Sequence, residues 1–60
     1  MRVREILKIA FENNWEVKSQ RGSHIKLIHK DTNRTAIIPN HTGDIPKGTL
    51  KSIYKQLGLK

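Results

Sequence analysis

The sequence predicts an α+β domain: a three-stranded antiparallel sheet with two helices on one face, in the order α-β-β-β-α. Three observations predict it. Apolar residues recur at helical period at both ends of the chain. The middle alternates apolar and polar residues with period two. Turn-forming residues cut that middle into three runs.

The first helix is set by Val3, Ile6, Leu7, Ala10 and Phe11, one apolar stripe at i, i+3, i+4, i+7 and i+8. Lys8 lies three residues after Glu5 and four before Glu12, so weak surface pairs are available. Asn13-Asn14 is expected to end the helix, because asparagine tolerates a left-handed backbone. Trp15, Val17 and Ser19 then alternate with Glu16 and Lys18, the pattern of a half-buried strand. Gln20-Arg21-Gly22-Ser23 reads as the turn that follows. In the second strand, His24 to His29, Ile25 and Leu27 point to one face while His24 and Lys26 point to the other. Lys30 to Asn33 is a hairpin turn, and Arg34 to Ile38 is the third strand, stopped by Pro39. After a loop over Asn40 to Asp44, Pro46 can open a helix at little loss. Leu50, Ile53, Tyr54 and Leu57 give that helix its stripe, and Gly58 is the expected cap.

Length and charge bound the function. Sixty residues form one domain, residues 1–60, without a linker or repeat, and a large enclosed substrate cavity does not fit. Lys and Arg number 12 against 5 Asp and Glu, a formal net charge of +7. Such a charge on so small a body favours a polyanionic partner. There is no cysteine, hence no disulfide and no thiolate chemistry. That suits a reducing cytoplasm, the expected location. No apolar run approaches a membrane span, and Glu5 and Glu12 on the first helix argue against a membrane-surface role.

The candidate chemistry lies at Arg21-Gly22-Ser23-His24-Ile25-Lys26. A histidine at the start of a strand, beside a glycine turn and two cations, suits RNA strand cleavage. RNA carries its own nucleophile, the ribose 2′-OH, next to the scissile phosphate. Imidazole can take that proton near neutral pH, and Arg21, Lys26 and the Gly22 backbone N–H can stabilise charge at phosphorus. A passive, partly exposed polar residue is the simpler reading of His24 from spacing alone. His29 should face away from His24, as a strand-end residue near the hairpin; His41 sits in a loop that could approach the open face, but a turn or capping role is the simpler reading. No Asp, Glu and His set has metal-ligand spacing, so no metal or cofactor is expected and cleavage should run in EDTA. Lys47, Lys51 and Lys55 form a row at i, i+4 and i+8 on the last helix, expected to contact RNA phosphates.

The ordered set of motifs resembles the HicA family of toxin mRNA interferases. Gly22-Ser23-His24 after the Trp15 strand carries the resemblance. So do Pro39-Asn40-His41 and Lys47-Gly48-Thr49-Leu50-Lys51-Ser52-Ile53 with Gln56 and Gly58, and the match spans nearly the whole chain. The resemblance implies a double-stranded-RNA-binding-domain-like fold, an RNA-cleaving toxin of a type II toxin–antitoxin system, and a HicB-type antitoxin that silences it. It places the catalytic histidine at His24 and the family glycine at Gly22, with Ser23 between them. Ile25 departs from relatives that carry a bulkier aromatic or a second histidine there, which puts the weight on His24 alone.

Two other functions compete. A non-catalytic module of the same fold would grip structured RNA without cutting it. A DNA-binding protein is less well served, because strands separate the two helices and no helix-turn-helix pair is present. The core is expected to use up the apolar residues, so the free protein is expected to be a monomer.

Overall fold

The computed structural model describes residues 1–59, so the expected domain of residues 1–60 extends one residue, Lys60, outside the described residues. Its elements are α1 (Val3–Glu12), β1 (Trp15–Arg21), β2 (His24–His29), β3 (Thr35–Pro39) and α2 (Lys47–Gln56). The strands form an antiparallel sheet in the order β1-β2-β3. This is the α+β architecture that the periodicities predict.

Both helices pack part of their stripes on the same face. Val3, Ile6 and Ala10 of α1 share one core with Ile53 of α2, Leu57 just beyond it, and Ile25, Leu27, Ala36 and Ile38 of the sheet. Ile6, Leu27, Ile38 and Ile53 are the largest fully buried side chains. Burying each contributes about 1.5–3 kcal/mol. α1 lies over β1 and α2 over β3, so the opposite face of the sheet is left uncovered.

The helix ends follow local chemistry. At the start of α1, Glu5 Oε1 accepts the Arg2 N–H at 2.9 Å, satisfying a donor the helix cannot. At its end the Asn13 side-chain amide donates to the Ile9 carbonyl at 2.8 Å, and Asn14 takes a left-handed φ of 69°. α2 closes on Gly58 at φ 72°, with Gly58 N–H donating to Lys55 O at 3.2 Å and Leu59 N–H to Tyr54 O at 2.8 Å. That pair of bonds is the Schellman closure that favours glycine.

Four expectations need correction. Phe11 does not enter the core and is 49% exposed. It lies ~100° around the helix from Ala10, on the flank of a core too small to reach it. Val17 is 47% exposed, so only Trp15 of β1 is buried. With Ile37 also 40% exposed, the core does not use up the apolar residues. Finally, β1 runs on to Arg21, so the turn is shorter than Gln20 to Ser23.

Both edges of the sheet are strands, but they differ. At β3 the Gln56 side chain reaches across from α2: its Oε1 accepts the Ile37 N–H at 3.0 Å and its Nε2 donates to the Ile37 carbonyl at 3.2 Å. A carboxamide thus replaces a neighbouring strand there, and Pro39 offers no N–H at the same edge.

Candidate active site

The hairpin between β1 and β2 builds the site. Arg21 pairs with His24, leaving only Gly22 and Ser23 to turn the chain. Gly22 has φ +58° and Ser23 does not have a positive φ. Glycine first with positive φ is the signature of a II′ hairpin turn. The turn fixes the direction in which His24 leaves it.

A bulge then decides which residues share a face with His24. From Trp15 to Val17 the ladder is regular, but Val17 opposes Leu27 while Ser19 opposes Lys26, leaving Lys18 unpaired. Continuing the ladder without that shift would set Lys18 against Lys26, two like charges directly opposed. It would also set Gln20 against His24. The extra residue instead carries Ser19 and Arg21 to the open face, since opposed residues of an antiparallel pair project to the same side. Period two places Ser19 with Trp15, and the bulge reverses that placement.

The result is a concavity of about 430 Å³ lined by Ser19, Gln20, Arg21, His24, Lys26 and Ile37. His24 is exposed and Lys26 half-buried, while Ile25 and Leu27 between and beyond them are buried. Across the sheet His24 is opposed by Arg21 on β1 and by Pro39 on β3. The imidazole therefore stands on the solvent-facing side with a guanidinium on one flank and an ammonium two residues along its own strand. Asn40 N–H donates to Ser23 O at 2.6 Å, tying the loop after β3 to the turn.

The other histidines are apart from this group. His29 meets Trp15 edge-on, ring centroids 5.1 Å apart at 85°. Its Nδ1 accepts the N–H groups of Asp31 at 3.1 Å and Thr32 at 3.3 Å, so it braces the second hairpin on the helical side. His41 is exposed in the loop after β3 and lines a separate cleft against α1. It makes no side-chain capping bond among the described residues. No group of three or more His, Cys, Asp or Glu side chains converges as a metal site among the described residues.

Lys47, Lys51 and Lys55 are not brought together with His24. Lys51 is two residues, ~200°, from Ile53, the side chain that α2 turns to the sheet. The row therefore lies on the outer surface of the helical layer, beside a groove of about 470 Å³ floored by Leu50, Tyr54 and Leu59.

An antiparallel three-stranded sheet backed by two helices in α-β-β-β-α order, with a basic and histidine-bearing open face, defines a double-stranded-RNA-binding-domain-like α+β protein. A family model described as HicA toxin of bacterial toxin-antitoxin matches residues 3–59, and the chain belongs to that family. Its role is accordingly that of the toxin in a toxin–antitoxin pair. Comparison with curated proteins and with solved structures gives no match. No helix is long and apolar enough to cross a membrane among the described residues.

Proposed function

We propose that this toxin is a metal-independent endoribonuclease, an mRNA interferase, in which His24 is the general base. The observation that carries the reading is the cross-strand pair Arg21–His24 on the open face, closed by a two-residue turn. In the proposed step His24 takes the proton of a ribose 2′-OH. The 2′-oxygen forms a bond to the adjacent phosphorus as the bond from phosphorus to the 5′-oxygen breaks. The electron pair leaves with that 5′-oxygen, which takes a proton from water. The products are a 2′,3′-cyclic phosphate and a 5′-hydroxyl. Arg21 and Lys26, with the backbone N–H groups of Gly22 and Ser23 and the Ser23 hydroxyl, offset charge that develops on the phosphate oxygens. The nucleophile belongs to the substrate, which is why a small open site suffices. A HicB-type antitoxin silences the toxin by covering this face.

Purified protein incubated with RNA in EDTA tests the proposal. Wild type is expected to yield 2′,3′-cyclic phosphate ends. His24→Ala is expected to lower the rate ~10²–10⁴-fold, the usual worth of one general base, while RNA affinity stays within a few-fold. Cleavage of a strand with a 2′-deoxy sugar at the scissile position would refute attack by the 2′-oxygen. A second reading, an RNA-gripping domain without chemistry, draws on one observation: the His24 ring has no hydrogen-bond partner among the described residues, so no protein hydrogen bond fixes its tautomer or rotation. RNA left intact yet still bound by antitoxin-free wild-type protein would establish that reading instead.

A further inference from the structure

A second basic cleft lies at the same end of the sheet as the Gly22–Ser23 turn, between the first turn of α1 and the loop after β3. It measures about 410 Å³ and is lined by Arg2, Arg4, Leu7, Asn40, His41 and Thr42 among others. Five of these six are polar, and all five are exposed and accessible. Two guanidinium groups, an imidazole, a carboxamide and a hydroxyl thus face one hollow with no carboxylate in its lining. The two acidic groups nearest in sequence lie beside the cleft, each against a backbone nitrogen at the start of the chain. Glu5 Oε1 accepts the Arg2 N–H at 2.9 Å, and Asp44 Oδ1 sits 3.6 Å from the Met1 ammonium.

Backbone contacts hold both walls of the cleft. Ile45 N–H donates to Met1 O at 2.8 Å, fixing the far end of the loop to the start of α1. Asn40 N–H donates to Ser23 O at 2.6 Å, fixing its near end to the turn. Pro39 opposes His24, and His41 follows two residues later. With ~5.5 Å across a strand pair and ~3.8 Å per residue, the Cα of His41 is within about 13 Å of that of His24. A strand leaving His24 has that separation to cover around the turn end of the slab, from the open face to the cleft beside α1.

We propose that this cleft is a second phosphate-binding subsite for the same RNA strand, holding a phosphodiester adjacent or next-but-one to the scissile one. The inference rests on the ribonuclease reading for what occupies the open face. Arg2 and Arg4 supply planar forks that fit phosphate oxygens. His41, with Asn40 and Thr42, hydrogen-bonds the sugar-phosphate backbone. In this subsite His41 is a binding residue.

The test compares Arg2→Ala/Arg4→Ala and His41→Ala with wild type, on a mixed-sequence single-stranded RNA and on a dinucleotide too short to reach the cleft. On the long RNA the arginine variant is expected to raise KM about tenfold, equivalent to ~1.4 kcal/mol, with kcat within twofold. His41→Ala is expected to raise KM a few-fold. On the dinucleotide all three proteins are expected to cleave alike. Fluorescence anisotropy of the labelled long RNA, measured in a His24→Ala background across a salt series, gives an independent readout. The arginine variant should bind more weakly, with a salt slope shallower by ~0.7 for each phosphate it no longer neutralises. Unchanged KM, affinity and slope would overturn the subsite, and so would a fall in kcat at constant KM. Should wild type cleave nothing, the ribonuclease reading fails, while the anisotropy series still decides whether the cleft holds RNA.

Discussion

At the scale of single residues, Gly22 decides how His24 leaves the turn. Gly22 occupies φ +58°, and a Cβ built there would meet nothing within 4 Å. Substitution is therefore opposed by backbone strain alone, not by a clash. Gly22→Ala is expected to destabilise the fold by about 1–3 kcal/mol and to lower cleavage more than its stability loss explains, because the turn aims His24. Chemical denaturation alongside a cleavage assay checks this; a stability change without any change in rate would detach the turn from the chemistry. The placement of His24 is legible in the sequence, since Ile25 and Leu27 are unmistakably apolar and alternation does the rest. The placement of Ser19 and Arg21 is not. One unpaired residue in a strand of seven leaves no mark on hydropathy, and only pairing register reveals it. Phe11 escapes the sequence pattern for a different reason. Helical period says which residues share a stripe, but the width of the core beneath decides how much of that stripe is covered.

At the scale of elements, the β1–β2 hairpin combines a regular ladder, a bulge and a tight turn. Lys18 is the residue that the ladder omits. Deleting it should leave Val17 opposite Leu27 and Arg21 opposite His24 in one continuous register. The deletion is expected to fold, with stability within ~1 kcal/mol because no buried side chain or ladder bond is removed, and to cleave RNA within a few-fold of wild type. Circular dichroism and the cleavage assay read the two outcomes. An unfolded or inactive deletion would show that the bulge itself shapes the site. The helices are readable from their stripes, and the Gly58 closure from the glycine alone. The Gln56 contact is not, because a glutamine near a helix end gives no hint of the strand edge it will meet.

For the whole molecule, stability is the scarce quantity. A chain of 60 residues is expected to be stable by roughly 3–9 kcal/mol. Leu27 is fully buried at the centre of the sheet, so Leu27→Ala should cost about 2–5 kcal/mol. That is enough to lower the thermal midpoint sharply, which calorimetry would record; a midpoint unchanged by Leu27→Ala would contradict the packing described. The fold is flat, 30 × 27 × 16 Å, so the open sheet face and the helical surface are thin opposite sides of one slab. The residue totals make +7 evident but not its distribution between those sides. Alternation along a strand and rotation around a helix each locate a charge on their own element; only the packing of the elements says which charges look the same way.

The carboxamide at the β3 edge has a consequence for concentration. Proteins that join strand to strand need two adhesive margins to grow without limit. Here one margin is already occupied by Gln56 and by a proline, so any such joining must use β1 on both partners and is complete at a pair. The side chain behaves as a chain terminator at Ile37, so growth through this margin is opposed when the toxin is made in excess.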